Sequence, residues 1–302
     1  MGWKTIFGLF FILIFILLLE VYLFFPYGEI EFNFQPKNSN FSLSTGNENM
    51  QFYQNMRFPD SNISYKITSC PLQKENDMKK AFEILENLSI LEFFLVSSDE
   101  QISVTCEDKQ KFEGGMFIAG EGGPTNITKS GEFNVILNGE VLLLRESECE
   151  KPNIAIHELL HALGVEHSSN SNNIMYNYSK CSQTIGQDIP ELINKIYAIP
   201  SYPDLTIENA SALMNGRYID INMSIRNNGL KNADESKIFV YANEKQIKEI
   251  DLKSLDIGYG IFISISNLWV SEFSVNELKI AIDSSFDELD KENNIVILKM
   301  KK

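Results

Sequence analysis

One eleven-residue stretch constrains this chain more than any other: His157-Glu158-Leu159-Leu160-His161-Ala162-Leu163-Gly164-Val165-Glu166-His167. The chain has three histidines in 302 residues, and all three lie here. His157 and His161 are four residues apart, so on a helix they share one face. Two imidazoles so placed reach one metal ion at about 2.0–2.1 Å. Glu158 stands where it can take a proton from a metal-activated water instead of ligating. Gly164 suits the left-handed conformation that ends a helix. The chain can then turn and bring His167 back as a third ligand. Three protein ligands leave the fourth position of a zinc ion open, as catalytic zinc requires. The bland alternative is a helix with two histidines and a third on the surface. It leaves unexplained why ligands, base, glycine and third histidine fall at one spacing.

The stretch resembles the extended zinc signature of the metzincin metallopeptidases. That family has a methionine turn beneath the metal, and Asn173-Ile174-Met175-Tyr176 matches it. The resemblance implies that Met175 floors the site without binding zinc. Ser168 after the third histidine is similar to the matrixin branch. Asn177 stands where astacins and serralysins carry an extra tyrosine ligand, so none is expected. The matrixin resemblance covers roughly Ser61 to Ile199. It implies an α+β catalytic domain: a twisted mixed sheet, a backing helix, the zinc helix and a small lower lobe. Gly115–Pro124, with Met116, Phe117, Ile118 and Ala119, resembles the edge strand along the matrixin cleft. An exposed edge can pair with an extended peptide, while a plain glycine-rich connector explains the same residues. Tyr176 and Tyr178 are candidates for the pocket beyond the scissile bond, although the family's proline after the methionine turn is missing.

The pattern around the signature alternates strand and helix. Strands are predicted at Ile63–Ser69, Glu92–Val96, Ile102–Cys106 and Phe133–Leu137. A hairpin through Asn138-Gly139 into Val141–Leu144 is expected, because Asn-Gly favours tight turns. Met78, Ala81, Phe82, Leu85 and Leu88 repeat at helical spacing over Asn76–Leu88. Asn153–Leu163 is the zinc helix and Ile189–Tyr197 a closing helix. Cys70, Cys106, Cys149 and Cys181 allow three pairings. Cys70–Cys106 with Cys149–Cys181 is preferred, the second bracketing the zinc helix. No Cys-x-x-Cys pair supports a cysteine-bound metal.

The ends of the chain read differently. Ile6–Leu19 is apolar apart from Gly8, and Val21–Phe25 continues the run after Glu20. A helix from Thr5 to Phe25 would just cross a hydrocarbon core of about 30 Å. Lys4 on one flank and Glu29 and Glu31 on the other put the N-terminus in the cytoplasm and the rest outside. The competing reading is a cleaved signal peptide and a secreted protein. It needs a small-x-small site, and Val21–Tyr27 is bulky throughout. Residues 1–26 are thus read as an anchor and 27–61 as a spacer without clear period, or a short inhibitory segment. No cysteine precedes Cys70, so the cysteine switch of matrixin pro-domains is not indicated.

Residues 62–199 form the peptidase-like region, and Pro200-Ser201-Tyr202-Pro203 is a stiff break. Residues 200–302 then show about seven short alternating strands, which argue for an immunoglobulin-like β-sandwich. Pro203-Asp204-Leu205, Asn227-Asn228-Gly229, the Leu255–Trp269 stretch and Asp283–Asn294 resemble the cell-adhesion-related (CARDB-like) domains of prokaryotic surface proteins. Such a domain implies a cell-surface partner. Asp283, Asp287, Asp290 and Glu292 offer oxygen ligands for calcium, with a solvated acidic loop as the other reading. Seven Asn-x-Ser/Thr sequons, from Asn40 to Asn222, all fall on the proposed outer side. The one at Asn177 adjoins the methionine turn, where a glycan would obstruct the cleft.

A net charge of −15 leaves little to neutralise phosphates, which excludes nucleic acid as a partner. The expected function is a membrane-anchored, extracytoplasmic zinc endopeptidase acting on protein or peptide, with Glu158 as general base. A surface adhesion protein with an inactive or structural zinc domain is the alternative.

Overall fold

The structure, a computed structural model, describes residues 2–24, 29–35, 50–109, 111–113, 116–147, 149–272 and 274–301. The chain divides into two compact units. One is Ser42–Pro203 with Asn228–Lys231; the other is Met1–Phe41, Asp204–Asn227 and Asn232–Lys302.

The first elements belong to the second of these units. Helix α1 is Trp3–Phe24, a continuous 22 residues. Its side chains are described from Phe7 to Glu20, and nearly all are exposed. Taken over the described side chains, no helix is long and apolar enough to cross a membrane. The expected span, Thr5–Phe25, runs beyond that set. Strand β1, Glu29–Gln35, follows.

The expected spacer is corrected here. Residues 29–35 are a strand of the C-terminal sheet, not a linker, while 36–49 lie outside the described residues. The physical reason was present in Glu29-Ile30-Glu31-Phe32-Asn33-Phe34-Gln35, which alternates polar and apolar at the period of a half-buried strand. Phe32 is 4% exposed.

In the unit built on Ser42–Pro203, β2 is Met56–Arg57, β3 Asn62–Thr68, α2 Leu72–Leu88, β4 Glu92–Leu95 and β5 Ile102–Cys106. Then come β6 Lys111–Glu113, β7 Met116–Ile118, β8 Gly120–Ser130, β9 Phe133–Leu143, α3 Asn153–Ala162 and α4 Asp188–Tyr197. The main sheet runs β2-β9-β5-β3-β4 with parallel neighbours, and β8 joins β9 antiparallel. This is the mixed sheet that the matrixin resemblance implies. Helix α2 buries Met78, Ala81, Phe82 and Leu85, one stripe at helical spacing, into the same core as the buried side of α3.

Both preferred disulfides are present. β3 and β5 are parallel neighbours, with Thr68 opposite Thr105, so Cys70 and Cys106 meet at the same end. Cys149 and Cys181 are joined with Cα atoms 5.2 Å apart.

Two expectations are corrected. Asn138-Gly139 is not a turn: β9 runs straight through it from Phe133 to Leu143. A Cβ on Gly139 would lie 3.2 Å from the Ala162 carbonyl oxygen, so the glycine serves close packing against the end of α3. The actual hairpin joins β8 to β9, with Gly131 at φ +52°. Of the expected edge strand Gly115–Pro124, Gly120–Pro124 does lie in β8, whereas Met116–Ile118 stands outside the main sheet. It pairs with β6 in a separate two-stranded ribbon, and the edge strand is β8.

The C-terminal unit adds β10 Leu205–Asn215, β11 Tyr218–Asn227, β12 Ser236–Ala242, β13 Lys245–Leu252, β14 Gly260–Trp269, β15 Glu277–Asp283 and β16 Ile295–Met300. All seven expected strands are found. Ile219, Ile221, Met223 and Ile225 point inward at 1% exposure or less. Strand order is β13-β12-β15-β16-β1-β10-β11-β14. β1 pairs with β10 over Glu29–Phe32 and with β16 over Phe32–Gln35, changing partner at Phe32. It thereby links β10-β11-β14 to β13-β12-β15-β16, whose apolar residues share one core.

Candidate metal centre

Helix α3 carries His157 and His161 on one face, as the four-residue spacing requires. The helix ends at Ala162, and Gly164 takes φ +89°, which lets the chain reverse. Met56 fills the space where a side chain at 164 would stand. His167 then returns to the first two histidines. The Nε2 atoms of His157 and His161 are 3.0 Å apart, and those of His161 and His167 are 3.1 Å apart.

Each buried ring is oriented from behind. His157 Nδ1 lies 2.7 Å from Ile174 O, and His161 Nδ1 lies 2.8 Å from Val165 O. A carbonyl can only accept, so Nδ1 carries the proton and the Nε2 lone pairs face one another. Burial depresses both pKa values, that of His161 to about 3, and the neighbouring histidines push the same way. Three neutral imidazoles aimed at one point are a cation site. Among the described residues, this triad is the one group of three or more such side chains close enough to share an ion. The donor set fits zinc. Asp283, Asp287, Asp290 and Glu292 form no such group among the described residues.

The methionine turn supports the ligands through its backbone. Met175 is buried, its N–H bound to Asn173 Oδ1, and its carbonyl accepts the Ser168 N–H at 2.8 Å. With Ile174 O on His157, the turn holds both ends of the ligand set.

Glu158 is 7% exposed, and burial raises its pKa to about 8, with Glu121 adding to the rise. It points along β8. A Cβ on Gly120 would stand 2.7 Å from Glu158 Cγ, and one on Gly122 would overlap the Glu158 carbonyl oxygen. These two glycines let β8 lie directly on the zinc helix. Their role was hidden inside a glycine-rich stretch. The roles of Val165 and Ile174 also escaped sequence reading, since backbone carbonyls leave no signature, and so did that of Glu121, whose carboxylate acts on Glu158 through space.

A cavity of about 930 Å³ opens over the triad. Of the residues expected to form the cleft, Ile118, Ala119 and Tyr178 line it; so do Gly120–Gly122 and the Cys149–Cys181 bridge. Tyr176 is not on the lining and packs edge-on against Tyr178, rings 5.8 Å apart. The side chains of Met116 and Phe117 lie outside the described set.

Comparison with known proteins agrees with this geometry. Residues 57–198 match the Matrixin family and residues 202–297 match CARDB. No curated protein matches the chain. Among solved structures, a Methanosarcina acetivorans protein domain determined by NMR is 14% identical, covering 33% of this chain and 93% of its own, at a TM-score of 0.28. The CARDB domain of a Pyrococcus furiosus protein, in complex with di-metal ions, is 17% identical over 33% of this chain and 88% of that one, at a TM-score of 0.26. Residues 57–198 therefore belong to the matrixin branch of the metzincin peptidases, and residues 202–297 to the CARDB family.

Proposed function

We propose that this protein is a zinc-dependent endopeptidase, held at the outer face of a membrane, that cleaves extended polypeptide. The observation that carries the proposal is the convergence of three imidazole Nε2 atoms beside a buried carboxyl group. His157, His161 and His167 would hold the ion. Zinc, when bound, polarises a scissile carbonyl and acidifies water. Glu158 takes the proton released as water attacks and delivers it to the leaving amine nitrogen. Burial favours this role, because it keeps the carboxylate basic. The edge of β8 at Gly120–Gly122 lies on the cavity lining and offers main-chain groups to an extended substrate.

The membrane reading rests on the sequence of Thr5–Phe25 and its flanking charges. Two disulfides suit an oxidising compartment outside the cytoplasm. The CARDB unit is assigned to positioning or adhesion at the cell surface, because none of the histidines or cysteines lies in it.

The test combines zinc stoichiometry with hydrolysis of a quenched peptide by the purified full-length chain. One zinc per chain with chelator-sensitive cleavage is expected. One zinc without cleavage would favour the adhesion reading. For the anchor, protease added to intact cells should remove everything beyond about Tyr27. A soluble mature protein starting near Gly28 would replace the anchor by a signal peptide.

A further inference from the structure

Residues Met50–Met56 lie upstream of the matrixin match, which begins at residue 57. They nevertheless reach the metal centre. The Phe52 N–H donates to Gly164 O at 3.1 Å, and the Glu166 N–H donates to Met50 O at 3.0 Å. Between these two bonds Gln51 bridges Val165 in antiparallel register. The segment thus pairs with the loop that joins the second histidine to the third.

It is also tied to itself. Gln51 Nε2 donates to Met56 O at 2.6 Å, and the Met56 N–H donates to Gln51 Oε1 at 3.3 Å. At its far end Met56 occupies the space beside Gly164; a Cβ there would be 2.6 Å from Met56 Sδ. At its near end the Phe52 ring stacks on His161, with centroids 5.6 Å apart and planes 24° apart.

Two ligands are therefore held through this segment. Val165, opposite Gln51, supplies the carbonyl that fixes the His161 Nδ1 proton. Phe52 covers the face of the same ring. His167 follows Glu166, whose N–H the segment binds.

We propose that Met50–Met56 is a positioning strap for the zinc ligands, with Phe52 and Gln51 as its principal residues. It touches no metal and acts through His161 and the 164–166 loop. The inference rests on the zinc reading above and extends it to a segment outside the matrixin match. Outer groups that orient metal-bound histidines typically change metal affinity by about 10- to 100-fold when lost. A loop free to move must be ordered at each binding event, and the strap orders it beforehand.

The test is the zinc dissociation constant of the full-length chain, measured by competition with a chromophoric chelator, with urea unfolding of the zinc-free protein in parallel. Phe52→Ala is expected to weaken zinc binding by about 10-fold or more, and Phe52→Tyr to restore most of it. Cobalt substitution should give Phe52→Ala an altered d–d spectrum, which a loss of stability alone would not produce. Should Phe52→Ala fail to fold, Gln51→Ala keeps the ring, loosens the strap and carries the same expectation. Folded variants that bind zinc within about twofold of wild type would overturn the proposal. So would a loss that Phe52→Tyr leaves unrepaired. A wild-type chain that takes up no zinc would instead overturn the metal reading, and the strap with it.

Discussion

Gly122 lies so close to Glu158 that a methyl group on it would collide with the carbonyl oxygen of that residue. Gly120, two residues back on the same strand, meets the Glu158 side chain. The edge strand and the proposed base are thus one packing unit. Pushing the strand away moves the carboxyl group, and any peptide paired along that strand is held beside it.

Gly122→Ala is therefore expected to cost about 2 kcal/mol or more of stability in the catalytic unit, since backbone must shift to admit the methyl group. Peptide hydrolysis should fall with it. Thermal unfolding and peptide turnover of the purified variant check this together, and unchanged values for both would show that β8 does not rest on the helix.

Glu158→Gln removes proton transfer and little else. Zinc content and fold should stay at wild-type values while turnover falls by about 10²- to 10⁴-fold. Wild-type turnover in the pure variant would end the mechanism proposed for this site.

The C-terminal unit should lose stability as pH rises through the mildly acidic range. Burial lifts the Asp204 pKa from 3.8 to about 6, and the carboxylates of Glu288 and Asp290 push in the same direction. A raised folded pKa means the folded state binds the extra proton. Its contribution is complete below pH 3.8 and is lost as pH climbs through about 6. The loss is on the order of 2–3 kcal/mol at most. Urea unfolding between pH 4 and 7 should show it, and Asp204→Asn should flatten the profile. An unchanged slope in that variant would point to other groups.

Strand β1 alters what a C-terminal fragment can do. About seven strands within residues 200–302 argue for a sandwich contained in that stretch, but the piece lacks the strand seated between β16 and β10. Phe32→Ala should destabilise the unit by about 3 kcal/mol, as for other buried aromatics. A peptide covering residues 28–36, added to the isolated fragment, should raise its urea midpoint. A fragment as stable as the whole unit would make β1 dispensable.

What the sequence disclosed, and what it hid, follows from how each feature is encoded. The three histidines were legible because metal chemistry demands particular side chains at fixed intervals, and Met175 was placed by the metzincin resemblance. The cysteine positions alone left three pairings, and only the structure, by placing Cys70 and Cys106 at one end of parallel strands, gives the physical reason for the preferred one. Asn138-Gly139 misled because the same dipeptide serves a tight turn and a close helix contact, and only Ala162 distinguishes them. Residues 29–35 carried a readable alternation that was masked by their polar surroundings. The strap at Met50–Met56 had no signal, because pairing through main-chain groups accepts almost any side chain.

The partner change at Phe32 has a consequence for how the protein comes into being. Phe32 pairs with Ala212 on one side and Met300 on the other. It is synthesised well before either partner, because every element from β2 to α4 lies between β1 and β10 in the chain. Ser42–Pro203, the greater part of the other unit, is made in between, and Asn228–Lys231 completes that unit later. Until β10 is made the early strand has both edges bare, a state in which β-structure is open to wrong pairing. The C-terminal sheet can therefore close only after β16 has been made, and a product truncated before that strand would carry an unsealed C-terminal unit.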